Sequence, residues 1–161
     1  DCPYWRDVGT IDAYWEANMD LVQVVPELNL YDDEWPIRSL QRQLPPAKFV
    51  FDDDGRRGMA IDSLVSSGCI VSGASVLRSV LFSKVRVGEG SQIEDSVVLP
   101  NVLVGRGVRL RRVVVDKHCV LPDGLRAGFD PVEDRTRFYV NEQGITLISP
   151  AMLDQHLSSS G

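Results

Sequence analysis

The sequence predicts a mainly β fold, a left-handed parallel β-helix of about four coils with a helical linker before it and a cap after it. Three observations carry this. Aliphatic residues recur every 17 residues in three columns: Leu64, Leu81, Val98 and Val115; Ile70, Val87, Val104 and Leu121; Val76, Ile93, Leu110 and Ala127. Glycine keeps the same step at Gly73, Gly90, Gly107 and Gly124. Within one period the aliphatic positions lie six, six and five residues apart, the hexapeptide spacing. No helix holds one face at that spacing, but a chain turning three corners per coil does, each short side pointing one aliphatic residue inward. The glycines supply corners where a positive φ penalises other residues.

Each segment then follows in order. Residues 1–25 read as a last strand and a helix. YWRDV leads through Gly9 to Thr10, a good N-cap, with Asp12 in the first turn and apolar residues at Ile11, Tyr14, Trp15, Met19, Leu21 and Val22. Pro26 is the expected stop. Residues 26–62 read as linker and hairpin, because strands at Lys48–Phe51 and Gly58–Ile61 flank the turn-forming DDDGRR. Residues 63–128 are the β-helix. Residues 129–161 are the cap: an acidic loop from Phe129 to Arg135, a hairpin turning at Gln143-Gly144 and a closing helix from Pro150 to Leu157.

Composition narrows the function. The chain has 161 residues, 43% hydrophobic and 25% charged, with no apolar run long enough for a spanning helix and no signal-peptide pattern. Cys2, Cys69 and Cys119 form neither a metal spacing nor an even framework, which points to a reducing cytoplasm. A net charge of −6 argues against nucleic acid as a partner. The charge is uneven: residues 76–126 hold nine Lys/Arg against five acids, a balance of +4, which leaves −10 for the rest.

Three places carry candidate chemistry. Asp7 stands at a strand end beside Arg6, ahead of glycine and a helix N-terminus, a position suited to a metal-bound phosphate; the spacing alone favours pairing with Arg6 or capping the helix. Arg106, Arg109, Arg111, Arg112 and Lys117 gather within twelve residues. They form either an anion-binding face or a solvated one. His118 falls in a corner column with Ser67, Lys84 and Asn101. It would be the catalytic base of a β-helix acyltransferase, or a plain surface histidine.

The ordered motifs YWRDVGT, AYWEANMDL, WPIR, LPPAKFV, SVLFSKVRVG, DKHCVLP and RFY…GI resemble the bacterial glucose-1-phosphate adenylyltransferases over nearly all of the chain. The resemblance implies a cytoplasmic enzyme of glycogen biosynthesis, homotetrameric, making ADP-glucose and diphosphate from ATP and glucose 1-phosphate. It implies that ATP and sugar phosphate bind an N-terminal nucleotidyltransferase domain upstream of this chain, which holds no catalytic residue and is inactive alone. Asp7 would be the second of two Mg²⁺ ligands. Lys117 would contact a phosphorylated effector, with Arg106, Arg109 and Arg112 completing the anion site. The closing helix departs from the pattern: Pro150 and Asp154 stand where some relatives place arginines. A hexapeptide acyltransferase using His118 and a non-catalytic assembly module are the alternatives.

Overall fold

The computed structural model describes residues 4–38, 40, 42–53 and 55–159, with side chains as far as Gln155. Helix α1 spans Ile11–Leu21, and the Thr10 hydroxyl accepts from the Ala13 N–H at 3.4 Å. The helix stops at Leu21, short of the proline, where the Val22 N–H turns back to Asp20 and Met19. Residues 4–9 form no strand. The expected strand there has no neighbour to pair with among the described residues, and a lone strand cannot satisfy its own backbone.

The chain then winds into a parallel β-helix. The lowest rung is β1 (Lys48–Val50), β2 (Met59–Ile61) and β3 (Leu64–Val65). Above it lie β4 (Ile70–Ser72), β5 (Ser75–Leu77) and β6 (Val80–Leu81), then β7 (Arg86–Val87), β8 (Gln92–Glu94) and β9 (Val97–Val98). The upper rungs are β10 (Leu103–Val104), β11 (Arg109–Arg111) and β12 (Val113–Val115), then β13 (Val120–Leu121) and β14 (Arg126–Ala127). Sheet A stacks β1, β4, β7, β10 and β13, and sheet B stacks β2, β5, β8, β11 and β14. Sheet C stacks β3, β6, β9 and β12. The β-helix of about four coils is as expected, and its winding begins at Lys48, before the residue 63 assigned to it.

Two expectations about the lowest coils are corrected. The first is the hairpin over 48–61. The two strands pair not with each other but with the coil above, Phe49 beside Val71 and Ala60 beside Val76. Parallel stacking lays Ala47 and Ala60 against the core, which a free hairpin would leave wet. The second is the register of the first coil. Val65 pairs with Leu81 and Val71 with Val87, so they occupy the inward places assigned to Leu64 and Ile70. Five residues separate Val71 from Val76, where six separate Val87 from Ile93. One residue fewer at this corner shifts everything before it by one.

A second inward set lies two residues before the first, as strand alternation requires. Cys69, Val85, Val102 and Cys119 are buried, as are Ala74, Ser91, Val108 and Leu125, and Ser79, Ser96 and Val113. The outer face of sheet C is apolar as well. Val80, Val97 and Val114 are buried there under Met19, Val22, Tyr14 and Trp15 of the α1 region. The Trp15 indole N–H donates to the Asp95 carbonyl at 2.7 Å, fixing α1 to a corner of the solenoid.

The upper end is closed by the cap. Where an acidic loop was expected, α2 spans Pro131–Arg137, with Asp130 accepting from Val132 N at 2.9 Å and Glu133 N at 3.3 Å. Asp followed by Pro is a helix start, and the Pro131 ring suits the first helical position. The hairpin stands: β15 (Tyr139–Val140) runs antiparallel to β16 (Thr146–Ile148), and β16 continues sheet C in parallel above β12. Helix α3 (Pro150–Ser159) buries Leu153 against the last coil.

Candidate functional site

Each coil has three corners, and only one is a glycine column. Gly73, Gly90, Gly107 and Gly124 turn with positive φ between sheets A and B. The corner between sheets B and C is made by Asp62, Arg78, Asp95 and Arg112, with φ from 44 to 54. That between C and A is made by Gly68, Lys84, Asn101 and His118, with φ from 61 to 79. Gly68 replaces the Ser67 of the 17-step column, for the one-residue reason given above. Left-handed backbone costs a non-glycine residue about 1–2 kcal/mol, so these corners hold polar side chains outward at some expense to stability.

The C–A corner forms a basic concavity. Leu40, Arg42 and Leu44 line one side of a cleft of about 730 Å³ whose other lining is Lys84, Asn101, Lys117 and His118 beside serines 66, 67 and 83. Among the described residues no carboxylate lines it. A neighbouring hollow shares Leu44, Lys84 and Asn101 and adds Arg86. The nearest acid in sequence, Asp116, turns its Oδ1 to the Lys117 backbone N–H at 2.8 Å. A cleft with several cations and no counter-charge favours an anion with more than one acidic oxygen.

Of the residues expected at an anion site, Lys117 lies in this cleft. The others do not join it. Arg106 sits at the glycine corner, its backbone N–H donating to Asp123 Oδ1 at 2.8 Å. Arg109 points outward from sheet B between Gln92 and Arg126. Arg111 follows on the same face, 3.9 Å from Glu94 and well exposed. Arg112 is at the B–C corner with its guanidinium 4.9 Å from the Trp15 ring centroid. The run from 106 to 117 crosses corner, strand, corner, strand and corner in turn, so closeness in sequence scatters these side chains instead of gathering them. Sequence reasoning missed Arg42 and Arg86, and gave Lys84 no role although it stood in the corner column with His118.

Asp7 is exposed and its Oδ1 accepts from the Gly9 N–H at 2.9 Å. Arg6 pairs instead with Asp20, and with Glu27 at 3.8 Å. Among the described residues no group of three His, Cys, Asp or Glu side chains comes close enough to hold a metal ion. His118 faces the cleft. Beneath it, burial and then the Asp116 charge push the Cys119 thiol up to about 12, and burial likewise raises Cys69. Neither is a nucleophile at neutral pH.

The cap side holds an ion pair built on a buried carboxylate. Asp134, on α2, accepts from the Gly128 N–H at 2.6 Å and from Arg137 at 3.1 Å. Arg137 also donates to the Arg126 carbonyl at 2.9 Å. These contacts bind α2 to the last coil.

Residues 45–148, the whole solenoid and its returning strand, match the family model described as GlmU-like, C-terminal hexapeptide. The chain belongs to that family. Within the GlmU-like hexapeptide proteins it is similar to bacterial glucose-1-phosphate adenylyltransferases, as the motifs imply. It is 68% identical over 155 residues to the enzyme of Nitrosospira multiformis, which covers 96% of this chain. It is 64% identical over 153 residues to that of Nitrosomonas europaea and 62% identical over 153 to that of Dechloromonas aromatica, each covering 95% of the chain. The chain spans 36%, 35% and 35% of the length of these relatives and corresponds to their C-terminal part. No helix among the described residues is long and apolar enough to cross a membrane.

Proposed function

We propose that this chain is the C-terminal regulatory and assembly part of a glucose-1-phosphate adenylyltransferase, which joins ATP and α-D-glucose 1-phosphate into ADP-glucose and diphosphate. The observation that supports it most is the 68% identity carried across both the α1 segment and the β-helix. A generic hexapeptide match would end at the solenoid. ATP and sugar phosphate would bind the remaining portion of the enzyme, because no described group here cradles a triphosphate. Mg²⁺ there would balance phosphate charge, and Asp7 would lend it one oxygen. The chain by itself is expected to make no ADP-glucose.

In this reading the β-helix docks the catalytic portion and neighbouring subunits of a cytoplasmic homotetramer, while the C–A cleft takes a phosphorylated or carboxylated effector. Arg42, Lys84 and Lys117 would meet its acidic oxygens, and Asn101 and the serines its hydroxyls. The test uses the enzyme that includes the catalytic portion. Lys84→Ala and Lys117→Ala should each raise the half-activating effector concentration roughly tenfold, as loss of one charge-assisted bond implies. Unstimulated turnover should stay near the parent's, and added salt should weaken the effector. Mutants that respond like the parent, with no phosphate binding by calorimetry at low salt, would overturn the effector assignment.

A further inference from the structure

We propose that Arg112 is a positioning residue that clamps helix α1, and with it the Asp7 turn, to the β-helix and to the β15–β16 hairpin. Its relevance to catalysis rests on the adenylyltransferase reading above; its structural content does not. Three bonds meet at this one corner. The Arg112 N–H donates to the Glu94 carbonyl at 3.2 Å, and its own carbonyl accepts from Thr146 N at 3.1 Å. The guanidinium lies over Trp15 and donates through Nη2 to the Gln143 carbonyl at 3.1 Å. Trp15 is thereby held from two sides, since its indole N–H is already committed to Asp95 one coil below.

The hairpin completes the clamp. Asn141, Glu142 and Gln143 wall a cleft of about 470 Å³ whose other wall is Gly9, Thr10, Ile11 and Asp12. The hairpin tip therefore faces the first turn of α1, and Arg112 bonds to that tip. Asp7 stands immediately before, its carboxylate tied to Gly9. Any tilt of α1 moves the Asp7 turn. Arginine suits the corner because its planar fork stacks on a ring and donates at its edge together, whereas an ammonium does one or the other.

Hydrogen exchange followed by mass spectrometry on the purified chain tests this, comparing the parent with Arg112→Ala, Arg112→Lys and Trp15→Phe. Arg112→Ala should speed exchange about tenfold over residues 14–21 and 141–146, leaving strands β8 to β10 as protected as before. Arg112→Lys, which keeps charge and bulk should the alanine variant misfold, should recover only part of that protection. Parent-like protection of α1 in both Arg112 variants would overturn the clamp. In the enzyme that includes the catalytic portion, Arg112→Ala should lower kcat several-fold, with KM and the half-activating effector concentration unchanged. Loosened α1 with unchanged kcat would overturn the link to catalysis. An enzyme whose parent form makes no ADP-glucose would sink the functional reading, and the exchange result would still decide the clamp.

Discussion

The backbone N–H of Ser96 donates to the hydroxyl of Ser79, one coil below, at 3.1 Å. The relation repeats: Ser79 N–H donates to Ser63 Oγ at 3.1 Å and Val113 N–H to Ser96 Oγ at 3.1 Å. Each hydroxyl also donates to a carbonyl two residues back, Ser79 to Leu77 at 2.7 Å and Ser96 to Glu94 at 2.6 Å. The left-handed corner residue turns the next N–H away from the sheet ladder, and a small hydroxyl from the coil below takes it up. Polar residues thus sit in a dry column because they complete the backbone's bonding.

Ser96→Ala should therefore cost more than its size suggests. It removes the acceptor of Val113 N and the donor to Glu94 O in a fully buried place. Leaving a buried amide unpaired costs about 1–3 kcal/mol. The urea midpoint reads the effect, and a variant as stable as the parent would mean the ladder bonds are dispensable.

The register of the first coil gives a contrast between neighbours. Val71 is fully buried and faces inward, whereas Ile70 is partly exposed on the outside of sheet A. Val71→Ala should cost about 2 kcal/mol through lost burial and a cavity, and Ile70→Ala less than about 1. The larger loss at Ile70 would restore the strict 17-residue step.

That slip shows what periodicity reveals and what it hides. Three upper coils follow the step because Leu81, Val98 and Val115 must stack, and so the fold was legible. A single residue fewer at one corner leaves the columns looking intact, since Leu64 and Ile70 are as aliphatic as Val65 and Val71. The hairpin over 48–61 was misread because Asp-Gly turn chemistry is local, while the winning partner of Lys48 is Ile70. Helix α2 had its Asp130-Pro131 start, but its acidity suggested a loop. At the candidate site, Lys117 stood out in the sequence, whereas Lys84 is brought beside Leu40, Arg42 and Leu44 only by the fold. The contact of Arg112 with Trp15 follows from α1 covering sheet C. Its trace in the sequence is the adjacent apolar pairs Val80-Leu81, Val97-Val98 and Val114-Val115, which mark strands buried on both faces.

The raised Cys119 thiol predicts both reactivity and a pH dependence. Its folded value is about 12 against an ordinary 9.0. A raised folded value favours the protonated form, so its stabilising contribution is whole below pH 9 and fades as pH rises toward 12. The native chain should resist iodoacetamide at Cys119 at pH 8.5 and react there in urea, followed by peptide mass. Rapid native labelling at that residue would contradict its burial.

Two glycines of equal φ sign should behave differently. Gly124 turns at φ +75 with nothing within 4 Å of an added Cβ. Alanine there meets only the left-handed penalty, about 1–2 kcal/mol. Gly128 turns at φ +87, but an added Cβ would fall 1.7 Å from the Arg111 carbonyl oxygen, a backbone atom held in sheet B. The clash cannot relax without moving the last coil, and the Gly128 N–H is the one that Asp134 of α2 accepts. Gly128→Ala should then cost about 4 kcal/mol or more and release the cap. Urea midpoints, with exchange over residues 131–137 as the local probe, separate the two cases. Equal losses at both glycines, with α2 still protected, would show that the last coil yields and that Gly128 is needed only for its conformation.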